Sequence, residues 1–81
     1  MPTWAAETLA ELERIGARHQ RPRRPDETPT AYAAAVAAAT RRPELVPVGV
    51  AIDDAAFGPT GDVDPARRRS VDEVLVAARD C

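Results

Sequence analysis

Eighty-one residues form one small domain, because at this length the surface-to-volume ratio leaves room for only one marginal core. A formal charge of −2 and a pI near 5.3 argue against a general binder of nucleic acid or anionic membrane, since neutralising phosphates needs a basic surplus. Of the apolar residues 17 are alanine, and the large ones reduce to Trp4, Tyr32, Phe57, four leucines, two isoleucines and eight valines. That set suits helices that approach closely and suits a large ligand pocket badly.

From Thr3, a plausible cap, to about Ile15, the residues Trp4, Ala5, Leu12 and Ile15 fall within a narrow arc at 100° per residue, with Leu9 at its edge. Glu7, Glu11, Arg14 and Arg18 fall opposite and read as a solvated face. Trp4 is expected to be largely buried against a later helix. Gly16 either closes this helix in the left-handed conformation or marks where it frays towards Gln20.

Pro22 and Pro25 forbid a continuous helix through the next stretch, Arg-Pro-Arg-Arg-Pro-Asp-Glu-Thr-Pro, residues 21–29. Thr28 can accept a backbone N–H of the following turn, and Pro29 has its φ already fixed for the first helical position. A second helix therefore runs from Thr28 through the core-facing pair Tyr32 and Val36 to about Thr40, where Arg41 and Arg42 favour its negative end and Pro43 stops it. The basic loop ahead of it, with Arg21, Arg23 and Arg24 held extended by the prolines and partly offset by Asp26 and Glu27, is the candidate interaction site.

Leu45 to Ile52 reads two ways. Val46, Val48, Val50 and Ile52 alternate as a strand would, but Pro47 and Gly49 disfavour a central strand and no second strand is at hand to pair with it. Leu45, Val48, Ile52 and Ala55 or Ala56 also satisfy a helical period, with Pro47 in the first turn, and the helical reading is preferred. Phe57-Gly58-Pro59 closes this third element, with glycine as the usual C′ residue, and Gly58 to Gly61 forms a turn. Asp64-Pro65 repeats the cap-then-proline device and opens a last helix striped by Val71, Val74, Leu75 and Ala78. The expected fold is all-α, a small bundle of four short helices in a single domain, 1–81, with antiparallel neighbours where connections are short.

Chemistry-bearing groups are sparse. Cys81 and His19 have no visible orienting partner for nucleophilic work, adjacent Asp53 and Asp54 diverge by about 100° on a helix and read as a solvated face, and no metal spacing or phosphate loop is present. No enzyme activity, cofactor, metal or small-molecule substrate is expected. No stretch approaches the roughly 20 apolar residues of a membrane span, nor does the start read as a signal peptide, so the chain is expected to be soluble. A nucleic-acid reading through Arg67, Arg68 and Arg69 is the alternative; it lacks an aromatic platform and a basic surplus.

Trp4 opening a helix with Leu9, Leu12 and Gly16, then Arg23-Arg24-Pro25, Glu27-Thr28-Pro29 with Tyr32, and later Phe57-Gly58, together resemble the C-terminal domain of bacterial transglutaminase-like membrane proteins. The likeness covers nearly the whole chain. It departs at Ala31, where the family's glutamate would complete a capping box with Thr28, and at Phe57, where tyrosine is usual. The resemblance implies a domain excised from the C-terminal part of a membrane-anchored protein, lying on the cytoplasmic side, with the transglutaminase-like site in a separate extracytoplasmic domain. It further implies an interaction or regulatory role towards a protein partner. An anionic lipid surface is a further candidate partner for the arginine loop.

Overall fold

The computed structural model describes residues 3–58 and 63–79. The described residues form four helices, α1 (Thr3–Arg18), α2 (Pro29–Thr40), α3 (Val46–Phe57) and α4 (Pro65–Arg79), with a 3₁₀ turn at Pro43–Leu45 leading into α3. Among the described residues there is no strand, and the fold is the small all-α bundle that the sequence implies. Cys81, Pro59 and Gly61 lie outside the described residues.

Local signals start α2 and α4 as expected, whereas Thr3, read as a cap, is itself the first residue of α1. Thr28, in extended conformation, accepts from the Ala31 N–H at 3.1 Å, with Pro29 at the first helical position. Asp64 Oδ1 accepts from the Ala66 N–H at 2.8 Å ahead of α4. Leu45, Val48, Ile52 and Ala55 are all buried, whereas Val46 and Val50 are 39% and 38% exposed, so the helical period and not the alternation describes this segment.

Helix ends differ from expectation. Gly16 neither closes nor frays α1: it is buried within the helix, which continues to Arg18. The left-handed residue is Gln20, at φ 57°, flanked by the two bonds of a Schellman motif, Arg21 N–H to Gly16 O (2.8 Å) and Gln20 N–H to Ala17 O (3.2 Å). Arg41, at φ 59°, ends α2 the same way, with Arg42 N–H donating to Ala37 O and Arg41 N–H to Ala38 O. Gly58 is not a left-handed C′ residue. Its φ of −71° and ψ of 159° are extended, and glycine is needed there because a β-carbon would run into the Asp54 carbonyl.

The core collects Leu12 and Ile15 from α1, Tyr32 and Val36 from α2, Leu45 and Ile52 around α3, and Val71 and Leu75 from α4. Helices α2 and α3 are antiparallel, Thr30 meeting Asp53 at one end. A β-carbon on Gly49 would lie 2.5 Å from both the Ala33 β-carbon and the Pro29 carbonyl, so the residue that weakens a strand reading is required by helix contact. Helices α1 and α4 run in the same direction, with Trp4 beside Arg68 at their starts and Arg18 donating to the Arg79 carbonyl at their ends. Trp4 does lie against α4 but is only half-buried, and its buried Nε1 has no acceptor among the described residues.

Candidate functional site

The arginine loop, residues 19–28, is organised by Glu27. Its carboxylate receives the Arg21 guanidinium (Nη1 to Oε1 3.0 Å) and the Arg24 N–H (2.9 Å), while its own N–H donates to the Arg24 carbonyl at 3.1 Å. These donors, Arg21 first, hold the Glu27 carboxyl below its usual range and raise the Arg21 guanidinium in turn. Arg21 also stands over the Tyr32 ring, 5.7 Å from its centroid, and the Tyr32 hydroxyl donates to the Arg21 carbonyl at 2.7 Å. Burial, the larger cause, pushes the Tyr32 phenol up.

The three candidate arginines therefore differ. Arg21 is tied to Glu27 and Tyr32. Arg23 bonds Glu13 of α1 through Nε at 2.7 Å and the Glu27 carbonyl at 3.1 Å. Arg24 is exposed, and its guanidinium has no partner among the described residues. The loop thus joins the end of α1 to the start of α2, with Arg23 and Arg24 both exposed and only Arg24 of the three candidate cations outside a salt bridge among the described residues. Glu13 and Glu27 could be suspected from charge alone, but their partners depend on how the loop folds back.

Several residues of the resemblance meet here: Gly16 against the Tyr32 hydroxyl, Glu27 in its clamp on Arg21, and Thr28 and Pro29 at the helix start. Trp4 sits apart, its ring 5.4 Å from the Arg68 guanidinium carbon, and Phe57 stands outward at 76% exposure. The later arginine run diverges: Arg67 pairs with Asp54 at 2.7 Å, Arg68 covers Trp4, and Arg69 is exposed.

Two faces read as solvated are used in packing. Asp53 Oδ2 accepts from the Thr30 N–H at 3.0 Å and from the Thr30 hydroxyl, so a carboxylate from α3 satisfies a first-turn donor of α2, a different one from the Thr28 N–H that a glutamate at position 31 would serve. Its neighbour Asp54 reaches Arg67 of α4 instead, and the adjacent pair ties α3 to α2 and α4. Glu11 lies between Arg14 and Arg79 (Nε to Oε 3.0 and 2.7 Å), bonds that hold its carboxyl low against the opposing effect of burial.

Among the described residues no group of three or more His, Cys, Asp or Glu is placed to hold a metal ion, and no helix is long and apolar enough to cross a membrane. No family model, no curated protein and no solved structure matches the chain.

Proposed function

We propose that this chain is a non-catalytic docking module, the cytoplasmic interaction domain of a membrane-anchored, transglutaminase-like protein. The observation that carries the docking role is the outer stripe of α3. Val46, Val50 and Phe57 fall within about 40° of one another at helical spacing, and all three are exposed, Phe57 at 76%. Exposed apolar side chains grouped on one face favour a protein partner. The parentage rests on the residues of the resemblance alone.

A protein partner is favoured over an anionic lipid surface because Arg21 and Arg23 are engaged by Glu27 and Glu13, which leaves Arg24 to meet a headgroup. A single arginine outside a salt bridge contributes about 1 kcal/mol of lipid attraction, too little for stable attachment. Anionic vesicles should therefore retain wild type and an Arg23→Ala/Arg24→Ala variant equally weakly.

The docking role is tested by immobilising the chain and its Phe57→Ser variant and exposing each to lysate of the source organism. A partner retained saturably by wild type and lost with Phe57→Ser, at unchanged melting temperature, supports the proposal. Equal retention by both, or none by either, overturns it.

A further inference from the structure

A second surface lies away from the α3 stripe. A groove of about 410 Å³ runs between α1 and α4, with Trp4, Thr8, Leu75 and Val76 in its walls, and Val76 is 52% exposed. Because the two helices run in the same direction, the groove has ends of opposite charge. Glu7 of α1 and Asp72 of α4 line one end, and neither has an ion-pair partner among the described residues. Seven residues further along each helix stand Arg14 and Arg79, two cations that share the single carboxylate of Glu11. The groove is thus acidic by two charges at one end and basic by one at the other, with the exposed Val76 and the edge of Leu75 facing Thr8 and Glu11 between them.

We infer that this groove docks a short peptide segment of a partner protein that carries a lysine or arginine at one end, leucine- or valine-like residues in the middle and a carboxylate at the other. Seven helical residues span about 10 Å, the distance between residues three apart in an extended chain. A segment of the form Lys-Leu-Val-Glu therefore matches both charged ends and lays its apolar pair on the α4 wall at Leu75 and Val76. A polyanion is repelled by Glu7 and Asp72, and a purely basic segment by Arg14 and Arg79. A second copy of this chain fits poorly, because its own extended stretch, residues 21–28, has no leucine or valine between its charges.

The inference rests on reading the chain as a docking module but uses a different face. Trp4, the one tryptophan of the sequence, borders the groove and reports occupancy by its fluorescence. The probe is the blocked tetrapeptide Lys-Leu-Val-Glu, titrated at low ionic strength because exposed charges are screened by salt, with Glu-Leu-Val-Glu as control. The expected result is a saturable change for the first peptide and a weaker one for the control. Glu7→Gln and Asp72→Asn should each weaken binding about twofold to fivefold, the range of an exposed ion pair. Phe57→Ser should leave binding unchanged, which separates failure here from failure of the α3 surface. Absence of a saturable change at millimolar peptide, equal binding of the control, or indifference to both substitutions overturns the inference. So does a fluorescence change that follows protein concentration alone and tracks dimerisation.

Discussion

The hydroxyl of Tyr32 occupies the space that a β-carbon on Gly16 would need, and from there it donates to the Arg21 carbonyl at 2.7 Å. The absent side chain lets α2 close on α1, and the hydroxyl then fastens the start of the arginine loop to the core. That same hypothetical carbon would lie 2.6 Å from the Arg21 carbonyl itself, so neither neighbour alone sets the requirement. Tyr32 is fully buried, which makes its bond one that water cannot readily replace.

Gly16→Ala should consequently destabilise, although alanine is about 1 kcal/mol the better helix former. Overpacking of this kind costs about 1–3 kcal/mol, and chemical denaturation would read the net loss. Tyr32→Phe should cost about 1 kcal/mol through the lost hydrogen bond. The double variant should lose less than the sum, because removing the hydroxyl opens part of the space. Strict additivity would show that the two residues do not compete for one volume.

The N-terminus of α2 rests on Thr28, next in sequence, and Asp53, brought in from α3. Thr28→Ala should cost about 1 kcal/mol, and Asp53→Ala a similar amount, since each leaves a first-turn donor without its acceptor. Thermal unfolding of the two variants checks this. A melting temperature unchanged by Asp53→Ala would mean that Thr30 takes its hydrogen bonds from water at no loss.

These cases show which parts of the fold can be read from residues. Thr28-Pro29 and Asp64-Pro65 act within a few positions of themselves, so a linear sequence carries them, and the burial of Leu45, Val48, Ile52 and Ala55 follows from the helical period once Pro47 and Gly49 have set the strand alternation aside. Asp53, Glu11 and Gly49 have roles fixed by which helices meet, and their neighbours in sequence give no sign of it. Asp53 and Glu11 therefore pass for solvated residues and Gly49 for a strand breaker. The loop is an intermediate case: its arginines are conspicuous, but the carboxylates that engage two of them lie up to ten positions away.

Gln20 and Arg41 hold left-handed positions that most often belong to glycine. A side chain there costs about 1–2 kcal/mol in backbone conformation, partly offset by the greater entropy that glycine has in the unfolded chain. Gln20→Gly and Arg41→Gly should therefore each raise stability, by about 0.5–1 kcal/mol net, as read from denaturant midpoints at constant slope. A loss on Arg41→Gly would reveal that its side chain contributes contacts outweighing the strain.

Glu27 gives the loop a dependence on pH whose sign follows from its partners. Arg21, and after it the Arg24 N–H, lower the folded-state carboxyl below the ordinary value of 4.5, so proton binding is weaker in the folded than in the unfolded chain. The contribution to stability is fully present above the unfolded value and is lost as pH falls through the lowered one. Glu27→Gln should melt below wild type at neutral pH, and the gap should narrow as the pH drops beneath 4.5 and close once the native carboxyl is protonated. Glu11→Gln should follow the same course, because Arg14 and Arg79 lower that carboxyl in the same direction. Circular dichroism melts of all three chains from neutral pH to about pH 2 make the comparison. A gap that persists undiminished in acid would assign the loss at Glu27 to geometry, since a neutral glutamine and a neutral glutamic acid would then still differ with no charge left to distinguish them.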